Sequence, residues 1–339
     1  MSRTRLAPPL ALALALALAA APAGGVFDWG EDDDAGGSSA EDGDDGWNPN
    51  DSGGGDGGSG GEGESEYGPI EPTGADNDPE LGCPCSPGTE LIYVLSDGGT
   101  IWSFDPAEEL FVRVADVACG GMSSTFSMGV SRKARAWIQY QSGDLYTVDL
   151  NDPSDPIKCL DPGFAPTGDP RFSNFGMAFV AEGLADPCDQ LYAHTATDPA
   201  GIGPGVGALG VIDPQSLKLG VIAAIDYAWG ELTGSGDGRL FAYAGSAPPL
   251  LLEYDKASGA TLSALPLPAL KSDSAFAFAW FGGDFYLFSD PDPFGSVSQV
   301  WHLDYDASDG GGQALTLLGT APIRIVGAGV STCAPWGPS

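Results

Sequence analysis

The side chains best equipped for chemistry are two carboxylates, Glu231 and Asp273. A carboxylic acid kept protonated near an ionised carboxylate can hydrolyse a glycoside: one group protonates the leaving oxygen and the other serves as base or nucleophile. Around this pair the sequence offers Arg324, Arg171 and Asn174 to orient a polar ligand, and Trp229 as a stacking surface. Other catalytic equipment is missing. No G-x-S-x-G elbow and no H-E-x-x-H helix motif occurs. His194 ends one strand segment and His302 lies inside another, which suits packing or surface roles. Gly205-Val206-Gly207 and Gly234-Ser235-Gly236 are too short for phosphate loops and lead into no helix.

Whether these groups converge depends on the strands that carry them. An aromatic recurs early in one strand at Tyr93, Trp137, Tyr192, Phe241 and Tyr286, and the next strand ends at Asp105, Asp149, Asp213, Asp255 and Asp304. The aspartates are 44, 64, 42 and 49 residues apart. A repeat of about 40–50 residues made of short strands predicts a β-propeller. The fold class is therefore all-β, with five blades of strands a to d from the inside outward. A six-bladed ring is the variant that the long third repeat allows.

In blade 2 the strands read Thr125–Ser131, Ala134–Tyr140, Asp144–Leu150 and Pro156–Leu160, with a hairpin turn at Gln141-Ser142-Gly143-Asp144. Blade 3 reads Phe175–Ala181, Gln190–His194, Ala208–Asp213 and Lys218–Ile225; blade 4 reads Gly230–Gly234, Arg239–Ala244, Leu250–Asp255 and Thr261–Leu265. Blade 5 reads Ala275–Phe281, Asp284–Ser289, Gln299–Asp304 and Ala314–Leu318. Blade 1 starts at strand b, with Leu91–Leu95, Thr100–Asp105 and Leu110–Ala115. Its missing inner strand is Arg324–Ser331, because Ala328-Gly329-Val330-Ser331 matches Met128-Gly129-Val130-Ser131. A shared blade closes the ring and removes an exposed sheet edge.

Closure brings the two ends of the domain together, so Cys333 is expected to pair with Cys83 or Cys85. Cys119 and Cys159 follow outer strands of adjacent blades and pair on the opposite face, which leaves Cys188 for the remaining N-terminal cysteine. Clasping a loop of more than 200 residues contributes on the order of 5 kcal/mol in the chain-entropy model. Zinc is disfavoured: Cys83-Pro84-Cys85 has no second pair at finger-like spacing and no neighbouring histidine.

Aligning the inner strands on Met128, Met177, Leu232, Ala277 and Ala328 gives a mouth ring of Ser124, Ser173, Ala228, Asp273 and Arg324. Asp273 and Arg324 fall on neighbouring blades, where they form either a structural ion pair or part of a polar ligand site with Glu231, Trp229, Asn174 and Arg171. Two b–c loops on the same face, Thr195–Gly207 and Asp290–Ser298, are longer than the rest. Long loops on a rigid scaffold carry recognition. The recurring aspartates are read as turn residues accepting backbone N–H bonds. No cofactor is expected. Ca²⁺ is the alternative at Asp304–Gly310 or at Asp149, Asn151, Asp152 and Asp155, neither of which has EF-hand spacing.

The domain is read as 83–339. Residues 1–23 resemble a secretory signal: Arg3 and Arg5, an apolar run Leu6–Ala21, and a small-residue cleavage site at Ala21-Pro22-Ala23. Residues 24–82 hold 18 acidic side chains and no Lys or Arg, with too few apolar groups to fold, and read as a disordered acidic linker. The formal charge of −34 opposes binding to nucleic acid or anionic lipid. Apart from the signal, no segment is long and apolar enough to span a bilayer. These features, with the ending Val326-Gly327-Ala328-Gly329-Val330-Ser331-Thr332-Cys333, resemble secreted β-propeller proteins of myxobacteria, with blades distantly similar to YVTN and WD types. The resemblance implies a fold and no established reaction. The expected function is a secreted or periplasmic monomer that binds a protein, peptide or glycan. The alternative is a glycosidase- or lactonase-like hydrolase with Glu231 and Asp273 at the channel mouth.

Overall fold

A computed structural model describes residues 83–120, 123–165, 169–186, 188–196, 201–245, 247–271, 275–290, 292, 294–305 and 313–337. The chain divides into two units, Met1–Gly60 and Gly61–Ser339, and every described residue lies in the second. The expected signal and acidic linker fall outside the described residues.

Five four-stranded antiparallel sheets make up the described structure. Blade 1 contains β1 (Ile92–Ser96), β2 (Thr100–Asp105) and β3 (Leu110–Asp116), and blade 2 contains β4 (Thr125–Val130), β5 (Arg135–Tyr140), β6 (Leu145–Asp149) and β7 (Cys159–Leu160). Blade 3 is built from β8 (Phe175–Ala181), β9 (Asp189–Thr195), β10 (Ile202–Ile212) and β11 (Leu219–Tyr227). Blade 4 has β12 (Gly230–Gly234), β13 (Leu240–Ala244), β14 (Leu250–Tyr254) and β15 (Thr261–Pro266). Blade 5 has β16 (Ala275–Phe281), β17 (Asp284–Asp290), β18 (Gln299–Asp304) and β19 (Ala314–Thr320). The last strand, β20 (Ile325–Val330), pairs antiparallel with β1, with Val94 opposite Ala328. Five blades and closure at blade 1 are as the repeat predicts.

The core lies between the blades. Each inner strand is apolar on both faces, so one set of side chains packs on the preceding blade and the alternate set on the following one. Met177 and Phe179 join Trp137 of blade 2, while Ala178 and Val180 join Leu232 and Leu240 of blade 4. Inner strands approach one another so closely that glycine is needed between them. A Cβ on Gly176 would lie 2.3 Å from the Gly230 carbonyl oxygen, and one on Gly327 would lie 2.9 Å from the Met128 nitrogen.

The innermost strand of each sheet also has amides with no partner strand, and buried donors must be satisfied. Side chains of the neighbouring blade do this. Ser127 Oγ accepts from Met177 N–H at 3.2 Å, Thr233 Oγ1 from Trp280 N–H at 3.0 Å, and Ser298 Oγ from Ile325 N–H at 2.9 Å.

Three disulfides staple the ring: Cys85–Cys333, Cys83–Cys188 and Cys119–Cys159. All three pairings match expectation, and such a set marks an oxidising, extracytoplasmic environment. The turn aspartates also behave as expected. Asp105, Asp149, Asp213 and Asp255 each accept a backbone N–H two residues on.

Three details differ from the sequence reading. The segment expected to be a loop up to Gly207 is already strand from Ile202, and Ile202 pairs with Tyr227 beyond the edge of the blade. The outer strand of blade 2 is only Cys159–Leu160. In blade 5 it is Phe278, opposite Leu287, that stands level with Met128, Met177, Leu232 and Ala328; Ala277 stands one residue earlier.

Candidate functional site

The inner strands start at one face of the ring, the mouth, where the b–c and d–a connections also lie. Here Phe126 of blade 2 and Trp229 of blade 4 meet edge to face with ring centroids 6.1 Å apart, and Trp229 also touches Phe276 of blade 5 at 6.3 Å. An edge-to-face pair is the arrangement that ring quadrupoles favour. Trp229 is fixed from behind: Gly245 N–H donates to its carbonyl at 3.2 Å, and a Cβ on Gly245 would strike the indole at 2.8 Å. Its backbone also bridges to Ala196 of blade 3.

Directly below, Ser127 donates to Glu231 Oε2 at 2.7 Å. The Glu231 carboxyl thus fills the axis under the aromatic pair, with the residue only 6% exposed. Burial drives its pKa well above the usual carboxylate range, and the Ser127 hydrogen bond offsets only part of that. Glu231 was expected at the open mouth. It sits a layer deeper because β12 enters the axis one turn of the pleat below Trp229.

Arg324, Arg171 and Asn174 bond to other partners. Arg324 Nε donates to Asp290 Oδ2 at 2.8 Å and Nη1 to Asp97 Oδ2 at 3.4 Å, linking blade 5 to blade 1. Asp273, its expected partner, lies outside the described residues. Arg171 folds back on Asp169, Nη2 to Oδ2 at 2.7 Å, where Asp169 caps a 3₁₀ turn at Pro170–Phe172. Asn174 donates through Nδ2 to the Tyr140 carbonyl at 3.3 Å. The mouth therefore holds an aromatic centre with its ion pairs set at the rim.

The rim also carries exposed apolar groups that sequence reading left unassigned. Ile202 and Val206 project from the extended hairpin of blade 3, and Phe294 and Val297 from the b–c loop of blade 5, with Phe294 93% exposed. Blades 3 and 5 flank blade 4, so the two groups stand on either side of Trp229. The signal available in sequence was the length of these two connections.

The opposite face is tied together by hydrogen bonds. Arg132, nearly buried, donates to the Cys83 carbonyl at 2.8 Å, to Thr332 Oγ1 at 3.0 Å and to Cys85 Sγ at 3.2 Å. Thr332 passes a hydrogen bond on to Asp189 Oδ2 at 3.1 Å. Arg132 and Thr332 together join blades 1, 2 and 3 there.

Both histidines have partners within the fold. His194 is fully buried, its Nδ1 2.7 Å from the Thr195 carbonyl, and burial pushes its pKa down to about 4. His302 Nε2 lies 2.9 Å from Asp284 Oδ2. In the acidic turn of blade 2, Asp149, Asp152 and Asp155 hold separate partners: Asn151 N–H, Ser154 and Arg113. The turn at Asp304–Gly310 extends into residues outside those described. Among the described residues no group of three or more His, Cys, Asp or Glu side chains is gathered for a metal, and no helix is long and apolar enough to cross a membrane.

No protein-family model matches the sequence, and no curated protein matches it. Solved structures with similarity include a chain of a nidogen/laminin complex, at 11% identity and TM-score 0.43, covering 71% of this chain and 98% of that one. A protein of unknown function from Bacteroides caccae aligns at 9% identity and TM-score 0.41 over 71% of this chain and 98% of its own. TolB from Acinetobacter baumannii aligns at 13% identity and TM-score 0.38, over 69% of this chain and 53% of its own.

Proposed function

We propose that this protein is a secreted or periplasmic binding module whose mouth face docks a protein, peptide or glycan without turning it over. The observation that carries this reading is the mouth itself. Trp229 is held rigid at its centre, and exposed Ile202, Val206, Phe294 and Val297 stand on connections to either side. Rigid aromatic anchors ringed by apolar and charged groups are what recognition surfaces use, because they lose little conformational freedom on binding. Residues 1–23 as an export signal and 24–82 as an acidic spacer complete the reading.

The second reading, a hydrolase, rests on Glu231, whose burial raises its pKa in the direction that a general acid needs. Against it stands the Phe126–Trp229 pair that covers this carboxyl.

Peptide and glycan arrays probed with the purified protein and with its Trp229→Ala and Phe294→Ala variants test the first reading. The expected result is a ligand that both variants lose and that Glu231→Gln retains. Steady turnover of a chromogenic glycoside or lactone, abolished in Glu231→Gln, would replace the binding module with the hydrolase.

A further inference from the structure

We propose that the Cys85–Cys333 bridge is a thiol–disulfide exchange site, opened ahead of the other two bridges by a dithiol that can close to its own disulfide. Three observations converge on this bridge. Cys85 is exposed and Cys333, the sulfur attacked, is half-buried, as are Cys119 and Cys159, whereas Cys83 and Cys188 are 1% and 3% exposed, so accessibility sets this bridge apart from Cys83–Cys188. The Arg132 guanidinium already donates to Cys85 Sγ at 3.2 Å, and its bonds to the Cys83 carbonyl and Thr332 Oγ1 fix it there before any reaction. Among the described residues no cation bonds a sulfur of the third bridge, and Cys159 Sγ lies 3.7 Å from the Ile157 carbonyl oxygen, which opposes negative charge.

Exchange is fastest when the leaving sulfur is a stabilised thiolate. A thiolate of the dithiol attacks Cys333 Sγ. The Cys85–Cys333 bond breaks, a mixed disulfide forms on Cys333, and Cys85 leaves as a thiolate paired with Arg132. The second thiol of the reductant loses its proton to solvent and attacks its own partner sulfur. Cys333 is released and takes a proton from solvent. Two electrons have passed to the protein, and the reductant has become a disulfide. The bridge that opens is the one closing the ring, with its cysteines 248 residues apart in sequence.

The test is a time course of the intact, folded protein in dithiothreitol, quenched with an alkylating reagent and mapped by mass spectrometry. Cys85 and Cys333 are expected to be labelled about tenfold faster than the other four cysteines. Once reduced, Cys85 should alkylate with a midpoint below the value of about 8.5 for a free thiol. Arg132→Met should slow opening of this bridge relative to Cys119–Cys159 and return the midpoint towards the free value. Equal labelling of all three pairs, or labelling of Cys119 and Cys159 first, would overturn the proposal. So would a midpoint at or above the free-thiol value. The wild-type order and midpoint decide the matter even if Arg132→Met does not fold. A CxxC oxidoreductase run in parallel identifies the source: the same order with it assigns a protein dithiol, and reduction by dithiothreitol alone assigns a small one.

Discussion

Ser127 and Glu231 meet hydroxyl to carboxyl at 2.7 Å across the channel axis, although they belong to blades 2 and 4 and are 104 residues apart. Blade 3 leaves Glu231 room to reach Ser127, because Gly176, with no side chain, is the residue that packs against the Glu231 backbone. Above them Phe126 and Trp229 form a second contact between the same two blades. The axis is thereby filled in layers, and a buried carboxyl is left with a hydroxyl beside it.

The first prediction follows from the sign of the Glu231 shift. Its folded pKa is raised, so the folded state keeps the proton after the unfolded chain has released it. Stability is therefore intact below the unfolded value of about 4.3 and falls as pH rises above it. Each pH unit in which only the unfolded carboxyl is ionised costs about 1.4 kcal/mol. Glu231→Gln keeps a group that can accept from Ser127 and removes the titration. Its melting temperature relative to wild type should rise as pH is raised above the unfolded carboxylate value. Parallel curves for the two proteins across that range would show that Glu231 is ionised in the fold.

Gly176→Ala tests how tightly the inner strands are packed. The added methyl would lie 2.3 Å from a backbone oxygen of blade 4, which cannot move without displacing its strand. Overpacking of this kind costs about 1–3 kcal/mol. Gly319→Ala, where nothing lies within 4 Å of the new methyl, is the matched control and should leave stability nearly unchanged. Urea unfolding of the two variants measures the difference, and equal midpoints would mean that blades 3 and 4 are farther apart than described.

Sequence alone reached the ring but not its axis, and the reasons are local. Repeating aspartates after strand c mark turns by their own short-range hydrogen bonds, so their spacing counts the blades. The likeness of Ala328–Ser331 to Met128–Ser131 revealed closure, and closure constrained the disulfides. Faces of the inner strands were harder. In Ala275–Phe281, Ala and Phe alternate and nearly every residue is buried, so hydrophobicity cannot mark which side faces which blade, and the alignment slips by one to Ala277. Gly203 and Gly205, both at positive φ, interrupt the alternation in β10 and make its first half read as a loop. Contacts such as Ser127 with Glu231 join residues with no local relation, and only the assembled ring brings them together.

His194 provides a pH test of opposite sign. Burial lowers its folded pKa to about 4, below the value of about 6.5 for an unfolded histidine. Its contribution is complete above the unfolded value and is lost as pH falls from there towards 4, amounting to about 3 kcal/mol. The imidazole is neutral across that window, with Nδ1–H directed at the Thr195 carbonyl. The ring-proton resonance of His194, assigned with a His302→Gln variant, should hold its position from pH 8 to near pH 5. A midpoint close to 6.5 would mean that water reaches this ring.

Arg324 and Asp290 allow the rim to be measured. Asp290 is the more buried partner, with its side chain 3% exposed, and it receives Arg324 Nε at 2.8 Å. Removing the cation alone should strand a buried carboxylate, which typically costs about 3–5 kcal/mol. Removing both charges should cost much less, because the desolvation penalty disappears with the pair. A double-mutant cycle of Arg324→Met and Asp290→Asn, read by urea unfolding, should therefore give a coupling of about 1–3 kcal/mol. Asp97 also bonds Arg324, at 3.4 Å, but its side chain is 45% exposed. Water can replace that bond, so Asp97→Asn should change stability by less than about 1 kcal/mol. Additive single-variant effects at Arg324 and Asp290 would mean that the two charges are each solvated and that the rim between blades 5 and 1 is open.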